Sequence, residues 1–275
     1  MDVNKAIQLA LEHFQIGDLK QAEHICRKIL KKHPNNVDAL HFLGVICYQG
    51  GYYDVAIKSI KKALEIDPNF ADAYNNLGNI FQEKKELNEA ISCYQKALNI
   101  NPKLAKTYYN LGVALQDTQK IDEAIICYQN ALKLNLNIFG LYNNLGFALQ
   151  KKGKLDEAIT CYKKALKLNP DFSDAYNNLG NALKEKGQLD EAIDNYKKAL
   201  HFNPNFANAY CNLGIVLIEK GHIDEAIGNY QKAIDINPDF TNAYVNCKFR
   251  SNPNPNSGVT RTPIPDQVEP LGLVA

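Results

Sequence analysis

Arginine is nearly missing from this chain: Arg27, Arg250 and Arg261 are the only three in 275 residues. The planar five-donor guanidinium is the usual clamp for phosphate and carboxylate, so its scarcity argues against a nucleic-acid or phosphate-binding face. Net charge supplies no substitute, since 31 Lys and Arg oppose 30 Asp and Glu for a formal charge of +1. No global field draws the chain to nucleic acid or to an acidic membrane. Long apolar runs are absent as well, and none approaches the ~18 residues of a membrane span. The opening MDVNKAIQLALEHFQIGD is broken by Glu12 and Asp18 and lacks an Ala-x-Ala-like cleavage site, so no signal peptide is expected and a cytoplasmic location is the default.

Catalytic and metal motifs are equally scarce. The six histidines form no His-Glu-x-x-His, no His-x-Glu and no pair four apart on one helix, so no metal is expected. Five serines give no Gly-x-Ser-x-Gly, and the single glycines of the turns do not build a phosphate-cradling loop, so neither an enzyme nor a cofactor site is expected. The seven cysteines form no Cys-x-x-Cys pair, and an odd number suits reduced thiols better than a disulfide framework. Cys93, Cys127 and Cys161 recur every 34 residues. Neighbouring helix axes about 8–10 Å apart cannot bring such residues within the ~7 Å that a disulfide needs.

What the sequence has is a repeat. Outside the C-terminal segment its prolines are Pro34, Pro68, Pro102, Pro170, Pro204 and Pro238, spaced by 34 residues except for one gap of 68 where Leu136 stands. With this proline at position 32, repeats begin at Val3, Val37, Ala71, Ala105, Phe139, Ser173 and Ala207, and a half-repeat begins at Thr241. In the copy from Ser173, Tyr176, Leu179, Gly180 and Leu183 follow the i, i+3, i+4, i+7 spacing of one helix face. Ala192, Tyr196 and Ala199 form the inner face of a second helix, and Gly187 suits a left-handed stop between the two. Eleven of the fifteen tyrosines occupy positions 4 or 24, a spacing that assigns them to packing. One such hairpin cannot cover its own apolar faces, so the copies must stack into an all-α solenoid of antiparallel helix pairs.

The segment AYNNLGNIFQEKKELNEAISCYQKALNINP, residues 73 to 102, resembles the tetratricopeptide repeat in every signature residue, and the resemblance runs from residue 3 to about residue 247. It implies a right-handed superhelix whose first helices line a concave groove. The first copy departs from it, with Ala6, Leu9, Ala10 and His13 at the signature places, as an end cap would. The repeats also look like the arms of O-linked N-acetylglucosamine transferases and SPINDLY-like proteins, in which a large catalytic domain follows. Only 28 residues follow Cys247, too few for such a domain, which leaves a recruiting arm separated from its enzyme as the alternative function.

Asparagine recurs where a helix disfavours it. Position 6 holds Asn76, Asn110, Asn144, Asn178, Asn212 and Asn246; position 5 adds Asn75, Asn143 and Asn177; Asn79 and Asn181 follow at position 9. These residues lie off the Tyr/Leu/Gly packing stripe, and the resemblance puts them in the groove. An amide both donates and accepts, so the ladder suits the backbone of an extended peptide or partner protein, with Tyr109, Phe147 and Ile215 adding apolar contacts. Bonds between neighbouring repeats or local caps are the other use of such amides. The basic clamp for a C-terminal carboxylate is disfavoured, because position 2 reads Asp38, Asp72, Lys106, Gly140, Asp174 and Asn208. Residues 250 to 275 hold five prolines without periodicity and are expected to be extended or disordered. The half-repeat would leave Tyr244 and Phe249 partly uncovered, a route to self-association.

Overall fold

The computed structural model describes residues 2–238; the half-repeat from Thr241, with Tyr244, Asn246 and Phe249, and the segment 250–275 lie outside the described residues. Fourteen α-helices and no strand occur among the described residues, which makes the chain an all-α superhelical repeat protein. The helices are α1 Val3–Gln15, α2 Leu19–Lys32, α3 Val37–Gln49, α4 Tyr53–Ile66, α5 Ala71–Glu83, α6 Leu87–Ile100, α7 Ala105–Asp117, α8 Ile121–Lys133, α9 Phe139–Lys151, α10 Leu155–Leu168, α11 Ser173–Glu185, α12 Leu189–Phe202, α13 Ala207–Glu219 and α14 Ile223–Ile236. They fall into two compact units, Met1–Phe202 with α1 to α12, and a second beginning at Asn203 that holds the pair α13 and α14.

From α5/α6 to α11/α12 each pair closes around one tyrosine. Tyr94, Tyr128, Tyr162 and Tyr196 in the first unit are fully buried, and burying a ring of that size stabilises by about 1.5–3 kcal/mol. The facing glycine makes room. A Cβ placed on Gly180 would lie 2.6 Å from Cε1 of Tyr196, and one on Gly112 2.5 Å from Cε1 of Tyr128. The small residue at position 8 is therefore required by the large side chain at position 24. Ile60 stands in place of the ring in the second repeat and still fills the space a Cβ on Gly44 would need, whereas Ala10 faces the smaller Cys26 in the first repeat, both buried.

Helix ends show two ways of stopping. First helices end in a Schellman motif. In α5, Glu86 N–H donates to Phe81 C=O at 2.9 Å and Lys85 N–H to Gln82 C=O at 2.9 Å, with Lys85 left-handed at φ 61°. Second helices such as α10 run to an extended cap, Asn169, followed by proline. At α8, where Leu136 replaces that proline, the helix ends one residue earlier and borrows the other device. Leu136 N–H donates to Ala131 C=O at 3.0 Å, Asn135 N–H donates to Leu132 C=O at 2.9 Å, and Asn135 is left-handed at φ 62°.

Within the first unit each second helix packs on the next first helix, and consecutive first helices also pack on each other, from α1 with α3 to α9 with α11. Contacts of that extent between consecutive second helices are absent among the described residues. The first helices thus line the inner side of the stack and the second helices the outer side.

Candidate peptide-contacting face

A helix aligns positions 2, 6, 9 and 13 on one stripe, because they are four, three and four residues apart. In α5 this stripe is Asp72, Asn76, Asn79 and Glu83; in α7 Lys106, Asn110, Val113 and Asp117. In α9 it is Gly140, Asn144, Phe147 and Lys151; in α11 Asp174, Asn178, Asn181 and Glu185. The ladder therefore occupies the centre of the inner face, and Asn76, Asn110, Asn144 and Asn178 are each half-buried there.

Every one of these four amides reaches back to the preceding repeat. Asn76 Nδ2 lies 2.8 Å from Nε2 of His41, and Asn110 Nδ2 donates to Asn79 Oδ1 at 2.9 Å. Asn144 Nδ2 donates to the Tyr109 hydroxyl oxygen at 3.3 Å, and Asn178 Nδ2 to Asn143 Oδ1 at 3.0 Å. The amides thus tie repeat to repeat, which is one of the two uses open to them from sequence. It does not exhaust them: an amide has two donor hydrogens and two acceptor lone pairs, and each of these contacts consumes one hydrogen.

The position 5 and 9 residues support the row from beneath. Asn143 and Asn177 are buried at 9% and 7% exposure, too deep to meet a ligand directly. Half-buried Asn75 donates to Asn76 Oδ1 at 3.3 Å and accepts from the Thr107 hydroxyl at 2.9 Å, a crossing from α7 back to α5. Asn79 Oδ1 takes the hydroxyl of Tyr94 at 2.9 Å, and Asn181 Oδ1 that of Tyr196 at 2.8 Å, so two buried tyrosines are satisfied from the inner face. Asn212 lies half-buried on α13 in the second unit, with Ile215 half-buried one turn further on. Tyr109 and Phe147 are half-buried in the first unit, and Lys151 sits 5.4 Å over the Phe147 ring.

His41 is the least regular member, standing where later copies have Asn75, Asn143 and Asn177. Burial pushes its pKa below the ordinary 6.5, opposed by the nearby charges of Asp72 and Asp38. Phe70 packs edge-on against its ring at 4.6 Å between centroids. The neutral ring offers Nε2 as the acceptor that Asn76 needs.

The hairpin ends carry a different set of contacts that the repeat pattern did not reveal. Lys84 lies 3.4 Å from Asp54, Lys152 3.0 Å from Asp122 and Lys186 2.5 Å from Asp156, each a position 14 lysine on the position 18 acid of the preceding repeat. Where the lysine gives way to Thr118, the acid gives way to Asn88, so the pair is lost as a pair. The visible signal was a Lys and an Asp 30 residues apart. Such exposed ion pairs contribute about 0.2–1 kcal/mol each. Lysines of the second helices also cover tyrosines: Lys96, Lys164 and Lys198 stand 5.6, 5.5 and 5.8 Å over Tyr74, Tyr142 and Tyr176.

Two open clefts, of about 620 and 590 Å³, lie between second helices over Tyr74 and Tyr176, on the opposite side from the ladder. They are rimmed by Lys61 and Lys96 in one case and by Lys163 and Lys198 in the other. Their place follows from the splay of second helices on the outside of a curved stack. Cys93, Cys127 and Cys161 are buried free thiols in the same layer, and burial pushes each pKa up to about 11, which leaves them protonated and unreactive at neutral pH. No helix among the described residues is long and apolar enough to cross a membrane.

A family model described as the cilia and flagella-associated protein 70 C-terminal domain matches residues 1–210, and the tetratricopeptide repeat model matches residues 207–240. Among solved structures, YrrB, described as a TPR protein with an unusual peptide-binding site, is 29% identical with a TM-score of 0.59. That match covers 70% of this chain and 99% of YrrB. MamA is 29% identical with a TM-score of 0.55, over 60% of this chain and 91% of its own. The pilF protein of Pseudomonas aeruginosa shares the fold, at 23% identity and a TM-score of 0.68 over 75% of this chain and 94% of its own. No curated protein sequence matches the chain.

Proposed function

We propose, because the chain belongs to the tetratricopeptide-repeat family of the cilia and flagella-associated protein 70 C-terminal domain, that it is a non-catalytic, cytoplasmic scaffold. On this reading it holds an extended peptide, or an extended segment of a partner protein, along the inner face of its first helices.

The observation that carries this reading is the row Asn76, Asn110, Asn144 and Asn178. Each amide spends one hydrogen on the preceding repeat, which fixes its rotamer, and Asn76 and Asn144 also accept from Asn75 and Asn143, which leaves part of each group for a ligand. A fixed amide loses little entropy on binding, and it pairs with backbone N–H and C=O whatever the ligand's side chains. Helix axes ~8–10 Å apart and an extended chain of ~3.3 Å per residue give about three ligand residues per repeat. One backbone contact per repeat is then geometrically reasonable. YrrB, with its described peptide-binding site, supports the mode of binding at 29% identity.

The test is capture from host lysate with the full chain beside an Asn110/Asn144/Asn178→Ala variant. Three lost hydrogen bonds of ~0.5–1.5 kcal/mol each weaken a groove ligand by roughly tenfold or more. Partners lost with the variant support the reading, and partners retained equally defeat it. The second reading, a recruiting arm of a glycosyltransferase-like enzyme, rests on the resemblance of the Asn-rich repeats to such arms. It requires the captured partners to include a transferase, or a transferase reading frame adjacent in the genome.

A further inference from the structure

The same inner stripes carry charges at their two ends, and these charges are arranged differently from those outside. Asp54, Asp122 and Asp156, at the starts of second helices, each meet a lysine that caps the first helix of the next repeat. On the inner side Asp72, Glu83, Asp117, Asp174 and Glu185 are exposed, and none of them joins an ion pair among the described residues. Glu185 has only a neutral partner, Gln150 Nε2 at 2.7 Å. A chain whose charges nearly balance overall has left one face with carboxylates outside any ion pair, of which Asp117 alone feels a nearby lysine, Lys85.

The pattern along that face is not uniform. The α5 and α11 stripes both read acid, amide, amide, acid. Between them, α7 offers Lys106 and Asp117 around Val113, and α9 offers Lys151 beside Phe147 with Gly140 where an acid stands elsewhere. From α5 to α11 the negative ends are thus interrupted by a two-repeat stretch that is apolar at its centre and bears both lysines.

We infer that the groove of the first unit selects an extended segment with two basic stretches, set about nine residues apart, and an apolar residue with a carboxylate between them. The spacing comes from three helix-to-helix steps of ~8–10 Å divided by ~3.3 Å per extended residue. Basic side chains of the ligand meet Asp72/Glu83 and Asp174/Glu185, its apolar residue meets Val113 and Phe147, and its carboxylate meets Lys106 or Lys151. Complementary charge of this kind sets choice of partner and speed of encounter more than the ultimate affinity. This inference rests on the groove-binding reading above and adds the chemistry of the occupant.

Fluorescence anisotropy with the full chain and synthetic peptides tests it. The matched probe has a Lys-Arg pair at each end and a spacer of about nine residues holding Leu and Glu. Its comparators are a charge-inverted probe, a neutral Gln/Ser probe and one with half the spacer. The matched probe is expected to bind at least ~tenfold tighter than each comparator, with affinity falling steeply as salt rises. Reversing charge in Asp72→Lys/Glu185→Lys turns attractions into repulsions and is expected to cost ~tenfold or more, while Glu123→Lys on the outer helix leaves affinity unchanged. Equal binding of matched and inverted probes overturns the inference, as does indifference to Asp72→Lys/Glu185→Lys. A neutral probe that binds as tightly as the matched one, and is lost with Asn110/Asn144/Asn178→Ala, overturns the charge pattern and leaves the groove reading standing. Failure of every probe to bind overturns the charge pattern as well, and the lysate capture then decides the groove reading separately.

Discussion

Gly180 and His41 mark the two kinds of single residue on which the stack depends. Gly180 is repeated at the same place in every full-signature copy, and the ring of Tyr196 fills the space its side chain would need. Gly180→Ala is expected to destabilise by ~1–3 kcal/mol, read as a lower urea midpoint with an unchanged slope, because a buried ring must move. His41 is a singular residue. Its folded pKa lies below its unfolded one, so the unfolded chain binds more protons in the interval between them. The stability it contributes is present above pH 6.5 and is lost as pH falls through the lowered value. His41→Asn, which installs the amide found at position 5 of later copies, removes the titrating group and is expected to flatten that pH dependence of the urea midpoint. The glycine was legible in the sequence because it recurs; its partner was not, since periodicity marks a small residue without saying which neighbour needs the room. The His41 contact takes the same 35-residue step as Asn144 to Tyr109 and Asn178 to Asn143, but a different residue type stands at its far end each time, so no recurrence of residues announced it.

At the scale of helices, the proline at position 32 reads as the stop of each second helix, and α8 shows that it is one solution among two. Asn135 and Leu136 end that helix with a Schellman motif that needs the Leu136 N–H. Restoring the consensus by Leu136→Pro removes this donor and places a proline after a left-handed residue, a conformation that the ring disfavours. The substitution is expected to lower stability by ~1–3 kcal/mol in thermal denaturation, although the other six copies carry proline there. The missing proline was visible in the sequence. The compensating asparagine was not, because Asn is common throughout these repeats and only its φ of 62° separates it from the others.

Across the whole chain the 34-residue period made the fold class legible, since a hairpin with two apolar faces has to stack. The candidate site was legible only in part. The sequence located the amide row but could not divide it into exposed and buried members, because the distinction depends on contacts between copies. Asn143 lies beneath Asn178 while Asn178 lies on the surface, and both are asparagines on the same kind of helix. The charges at the ends of the stripes were in plain view as positions 2 and 13, yet they gain meaning only once the amides between them share a face. Under the proposed function the ladder serves two purposes at once, joining repeats and meeting a ligand. The most direct measurement is calorimetric affinity of a partner recovered from lysate for the full chain, for Asn110/Asn144/Asn178→Ala, and for Glu123→Lys as a control on a second helix. A loss of roughly tenfold or more in the triple variant, with the control close to the unaltered chain, is the predicted result; equal affinity for all three proteins would contradict the claim and leave the asparagines a purely structural role.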